Sequence, residues 1–72
     1  MQIEYVREFV ILTTNMSFSE TAKKLFITQS ALSRHITALE DELGAKLFER
    51  DTHSMRLTDV GRGFLIDAQL LL

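Results

Sequence analysis

The chain has 72 residues, 46% hydrophobic and 25% charged, enough for one small globular domain with a thin core. It has no cysteine, which excludes a disulfide framework and a thiolate metal site, and no apolar run approaches the ~18 residues that a bilayer span requires. The net charge is −2, but the charges are unevenly spread. Residues 21–39 hold Lys23, Lys24 and Arg34 with no acid, residues 40–49 hold Glu40, Asp41, Glu42 and Glu49 against Lys46, and residues 50–62 hold Arg50, Arg56 and Arg62 against Asp51 and Asp59.

No basic segment precedes an apolar run at the N-terminus, Met1-Gln2-Ile3-Glu4-Tyr5, so no secretory signal is read there and a cytoplasmic protein is expected. Over residues 2–15, Ile3, Val6, Phe9, Val10 and Leu12 recur at spacings that predict an amphipathic helix, with Thr13, Thr14 and Asn15 marking its exit. Ser17-Phe18-Ser19-Glu20 fits a reciprocal capping box. It opens a short helix over 18–25, with Ala22 and Leu25 inward and Lys23 and Lys24 outward. Phe26, Ile27 and Thr28 form a turn, and Thr28 is placed to cap a third helix over 29–43. Leu32, Ile36, Leu39 and Leu43 make one apolar stripe on it, and Gly44 is placed to end it in a left-handed conformation. Helix, short turn and longer helix is the helix-turn-helix pattern.

Residues 45–58 change character. Lys46-Leu47-Phe48-Glu49-Arg50 and Met55-Arg56-Leu57-Thr58 alternate in part around the turn-rich Asp51-Thr52-His53-Ser54, which predicts a short hairpin, a wing. Thr58 caps a last helix with Asp59 in its first turn; Val60, Phe64, Leu65, Ala68 and Leu71 or Leu72 form its apolar face. A chain finishing on Leu70-Leu71-Leu72 is expected to have that end covered.

At about 100° per residue, Gln29, Ser30, Ser33, Arg34 and Thr37 share a sector of the third helix that does not overlap the apolar stripe. These side chains suit base edges and phosphates: Arg34 for guanine O6 and N7, Gln29 for adenine N6 and N7, Ser30 and Ser33 for a close approach. The helix N-terminus at Thr28 favours a phosphate. The acidic end, Glu40-Asp41-Glu42, is expected to point away from the duplex. On the wing, Arg50 and Arg56 would hold the backbone and His53 at the tip would touch a phosphate or the minor groove. The competing readings are a solvated polar helix face and an exposed loop with an ion pair at Arg50. With His35 and His53 far apart and no cysteine, no metal site is expected; nor does any constellation of nucleophile, base and orienting group point to an enzyme. A winged helix serving protein interaction is the rival, favoured by the negative net charge.

The set Ser17-Phe18-Ser19, Ala22, Leu25, Thr28-Gln29-Ser30-Ala31-Leu32-Ser33-Arg34, Ile36, Leu39-Glu40, Leu43-Gly44, Lys46-Leu47-Phe48-Glu49-Arg50, Leu57-Thr58 and Gly61 closely resembles LysR-type transcriptional regulators, over essentially the whole chain. The resemblance implies a mainly α, winged helix-turn-helix fold: a three-helix core, a short two-stranded wing and a C-terminal linker helix. The winged helix-turn-helix would occupy residues 1–58 and the start of the linker helix residues 59–72. The resemblance further implies a bacterial regulator that acts as a homodimer on a dyad-symmetric operator in double-stranded DNA. Thr28, Gln29, Ser30, Ser33, Arg34 and Thr37 would be recognition-helix contacts and Arg50, His53 and Arg56 wing contacts; Phe64, Leu65, Ala68 and Leu72 would pair the linker helices. No cofactor is expected. A small effector would bind a larger C-terminal domain, which these residues do not include. The wing departs from the family pattern, carrying Asp51-Thr52-His53-Ser54-Met55 where a Gly- and Arg-rich turn is common, and Thr21 replaces a frequent alanine beside Ala22.

Overall fold

The computed structural model describes residues 1–72. Four helices and one hairpin follow in the order α1 (Ile3–Asn15), α2 (Phe18–Leu25), α3 (Gln29–Leu43), β1 (Phe48–Arg50), β2 (Met55–Leu57) and α4 (Asp59–Leu71). No helix is long and apolar enough to cross a membrane.

The helix starts follow from short polar caps. Ser17, Thr28 and Thr58 each accept a hydrogen bond from the backbone N–H three residues on, in Glu20, Ala31 and Gly61. The capping box at Ser17 forms only in that half. The Ser17 N–H donates to Asn15 Oδ1 at 2.9 Å and the Glu20 carboxylate turns outward to Lys23. Asn15 Oδ1 also accepts from the hydroxyl of Thr21, which is fully buried, so Thr21 fastens the α1–α2 corner, a role an alanine there lacks. Thr13 and Thr14 remain helical, their hydroxyls donating to the carbonyls of Val10 and Ile11, and the chain leaves α1 only at Met16.

Three helices end on a left-handed residue: Met16 (φ 55°), Phe26 (φ 57°) and Gly44 (φ 71°). Such a conformation is free for Gly44 but costs a residue with a Cβ about 1–2 kcal/mol. At Met16 that cost is offset by packing, since its side chain lies against the core.

The core is built from Val6, Phe9 and Leu12 of α1, Phe18 and Ala22 of α2, Leu32, Ile36 and Leu39 of α3, then Leu47, Phe48 and Ala68. Phe9 is its centre, with ring centroids 5.6 Å from Phe48 and 5.2 Å from Phe64. Leu43, expected in the same stripe as Leu39, is 37% exposed, because α3 outruns the core at its last turn. On α4, Ala68 is buried and Phe64 and Leu65 are half-buried; Val60, Leu71 and Leu72, expected on the same face, are exposed. α4 packs across α1, with Phe64 against Phe9, and its buried residues are Gly61 and Ala68.

The wing is antiparallel, with Phe48 opposite Leu57 and Arg50 opposite Met55. Asp51 supplies the turn chemistry that an Asn-Gly pair would otherwise give. Its carboxylate accepts the backbone N–H groups of His53 and Ser54, at 2.8 and 2.7 Å. First the His53 bond and then the Ser54 bond hold the Asp51 carboxyl below the ordinary aspartate range. The base of the wing is tied to α4 through Thr58, whose hydroxyl donates to the Lys46 carbonyl at 2.7 Å and whose N–H donates to the Leu47 carbonyl at 3.0 Å. Gly61 follows from this closeness: a Cβ there would land on the Leu47 carbonyl oxygen and crowd Leu57, whereas a Cβ on Gly63 would meet nothing.

Two outcomes are expected. Gly61→Ala destabilises by about 1–3 kcal/mol through overpacking against backbone, while Gly63→Ala stabilises by about 0.5–1 kcal/mol through helix propensity. Urea denaturation of both variants checks the opposite signs; equal signs would contradict the packing described. For Asp51, the carboxyl titrates below the ordinary value of about 3.9. Its contribution to wing order is therefore complete above that value and is lost as pH falls through the lowered one. NMR titration of the carboxyl, together with the His53 and Ser54 amides, reads this directly, and a midpoint at or above the ordinary value would contradict it.

Candidate nucleic-acid interface

The outward face of α3 is decided by what its other faces hold. Leu32, Ile36 and Leu39 point into the core. On a second side, His35 Nδ1 lies 2.6 Å from Glu8 Oε1 of α1, and its ring stacks on Tyr5 at 4.1 Å between centroids and 9° between planes. At the far end Glu40 turns inward. Its carboxylate accepts the Leu47 N–H at 2.8 Å and meets Lys46 Nζ at 3.7 Å. The expectation that all of Glu40-Asp41-Glu42 simply faces away is corrected for Glu40, which anchors the chain entering β1. Asp41 and Glu42 are exposed, and Glu42 pairs with the N-terminal amine at 3.1 Å.

With the core and α1 taking two sides of α3 and Glu40 turned inward at its far end, the surface left presents Thr28, Gln29, Ser30, Arg34 and Thr37 to solvent, with Ser33 half-buried among them. Arg34 enters no ion pair and Gln29 no hydrogen bond, so their donors are free for a ligand. The Thr28 and Ser30 hydroxyls are 3.3 Å apart at the helix start.

The wing is less uniform. A groove between α3 and β1 is lined by Ser33, Thr37, Glu40, Lys46 and Arg50 around Ile36 and Phe48. It brings Arg50 beside the outward face of α3. Arg50 forms no ion pair, contrary to the alternative weighed for it; its guanidinium lies over the Phe18 ring at 4.1 Å. Phe18 packs in turn near Phe48, 6.3 Å between centroids. This platform leaves the in-plane donors of Arg50 open. Arg56 is engaged differently, its Nε 3.2 Å from Glu49 across the hairpin. His53 is exposed at the tip, with its N–H committed to Asp51. His53 and Arg56 do not line the groove with Ser33, Thr37 and Arg50.

Phe18 and Lys46 are the members of this surface that sequence reasoning missed. Lys46 read as one cation among acids. Phe18 read only as part of a cap, and no spacing rule links it to a residue as distant as Arg50. His35 and His53 are separate, and no group of three or more His, Asp or Glu side chains is placed to hold a metal ion. On α4, of the four residues expected to pair subunits, Ala68 is buried within this chain, Phe64 and Leu65 are half-buried, and Leu72 is exposed; Ile66, Leu70 and Leu71 are the large apolar groups left outside with it.

Comparison with known proteins agrees with this architecture. Residues 3–62 match the model of the family described as bacterial regulatory helix-turn-helix protein, lysR family. The chain is 44% identical over 69 residues to the HTH-type transcriptional regulator ShiR of Corynebacterium glutamicum, covering 96% of this chain and 23% of ShiR. It is 42% identical over 72 residues to the HTH-type transcriptional regulator TfdT of Cupriavidus pinatubonensis, covering all of this chain and 32% of TfdT. The chain therefore spans under a third of the length of these relatives. Among solved structures, the BenM_DBD/catB site 1 DNA complex superposes with a TM-score of 0.91 at 39% identity, covering 99% of this chain and 80% of that one. The helix-turn-helix, the wing and the helix that follows thus have both the sequence and the shape of one family, and the chain belongs to the lysR family of bacterial regulatory helix-turn-helix proteins.

Proposed function

We propose that this chain is the sequence-specific DNA-binding module of a transcriptional regulator, with residues 1–58 as the winged helix-turn-helix and residues 59–72 as the start of a linker helix. The observation that carries the reading is the free, solvent-facing row of Gln29, Ser30, Arg34 and Thr37 on the N-terminal half of α3. A helix-turn-helix presents this part of its second helix to base edges. In support, the BenM domain that this chain superposes on is described in complex with DNA. Arg34 and Gln29 read bases in the major groove; Thr28, Ser30, Ser33, Thr37, Arg50 and Arg56 position the backbone, and His53 lies nearest the minor groove. The module acts as a homodimer on a dyad-symmetric operator in the cytoplasm. A small effector is taken up by a C-terminal domain of the family type.

Arg34→Ala is expected to lower affinity for a duplex selected from a random pool by about 1–3 kcal/mol and to relax discrimination at one base pair in each half-site. Equal losses on selected and random duplexes would make Arg34 a phosphate contact. Binding should also weaken steeply as salt rises, and a flat response would count against DNA as the ligand. Pairing through α4 is supported by its exposed Ile66, Leu70, Leu71 and Leu72. Light scattering should give a mass that grows toward a dimer with concentration; a monomer mass at every concentration would contradict pairing by these 72 residues.

A further inference from the structure

The turn between α2 and α3 carries a residue that folding does not explain. Phe26 is 95% exposed, the most exposed of the large apolar side chains, and it holds the left-handed backbone with φ 57°. The other non-glycine residue in that conformation, Met16, packs its side chain against the core. Phe26 has no such compensation. Glycine or asparagine would make the same turn with less strain and without an aromatic ring in water. Backbone strain of this kind clusters at binding and switch positions.

We propose that Phe26 makes an apolar contact with the DNA duplex at the rim of the groove that α3 enters, an inference that rests on the DNA-binding reading above. Its neighbours fix the occupant. Two residues before it along the chain is Lys24, exposed and in no ion pair; two residues after it is Thr28, the cap of α3, followed by Ser30 and the open first amides of the helix. A lone ring between a free cation and an anion-favouring helix start matches the edge of a duplex, where phosphates flank apolar sugar faces and thymine methyl groups. A protein partner would be expected to need a wider apolar patch around the ring.

The test uses the 72-residue chain, a duplex recovered by selection from a random pool with the unaltered protein, and the variants Phe26→Gly and Phe26→Asn. Both variants should keep or raise the melting temperature, because they relieve backbone strain. Their Kd on the selected duplex should nevertheless rise about tenfold, the effect of losing a largely buried ring. The salt slope should stay unchanged, since no charge is removed. Replacing each thymine of the duplex by uracil in turn separates the two apolar sources. A loss of about fourfold at one position for the unaltered chain, absent in the variants, assigns the contact to a methyl group; no such position, with the tenfold loss retained, assigns it to a sugar face. Unchanged affinity in both folded variants would overturn the proposal while leaving the DNA reading intact. Failure of the unaltered chain to bind any duplex would overturn both.

Discussion

The rotation of α3 about its own axis is the constraint on which the rest of the molecule depends. A turn of one residue, about 100°, would bring a different set of side chains to the surface. Three independent attachments fix it. Leu32, Ile36 and Leu39 are buried with Phe9 and Leu12. Beside them, His35 is held from α1 by the Glu8 carboxylate and the Tyr5 ring. At the C-terminal half, Glu40 reaches to the Leu47 N–H. The first is non-directional and sets only which side is inward; the other two are directional and remove the remaining play. The free row from Gln29 to Thr37 is what these attachments leave over.

The same economy explains how a chain of net charge −2 can present a cationic face. Its acids near the interface are occupied. Glu40 faces a backbone N–H and Lys46, Glu49 pairs with Arg56, and Asp51 closes its own turn. Glu42 lies at the opposite end of α3 against the N-terminus. Lys24, Arg34 and Arg50 have no acid partner. At physiological ionic strength fields decay within about 8 Å, so the surface at the α3 start presents these cations and not the chain's total charge. Arg50 is held in place by the Phe18 ring instead of by a carboxylate, which fixes its position without neutralising it.

Most of the fold was legible because its signals are local. Spacing gave the stripes of α1 and α3, and single hydroxyls at Ser17, Thr28 and Thr58 gave three helix starts. Gly44 gave one helix end. What escaped were features made by residues distant along the chain. The reciprocal half of the Ser17 cap failed because Asn15 was the better-placed acceptor. The part played by Thr21 lies in a hydroxyl that meets Asn15, six residues back and on another helix. Leu43 and Val60 kept the period of their stripes but ran past the end of what they could pack against. The Arg50–Phe18 stack and the inward turn of Glu40 join segments with no shared period. The solvent-facing row from Gln29 to Thr37 was readable from α3 alone, since its position follows from helix geometry once the buried stripe is assigned.

The most direct test is an NMR titration of the chain with a selected duplex, following backbone amides and the arginine side-chain signals. The account predicts shifts concentrated at residues 28–34 and 37 and at the Arg50 guanidinium, with Asp41 to Gly44 unaffected. Shifts centred on the acidic end of α3, with Gln29 and Arg34 unmoved, would contradict it.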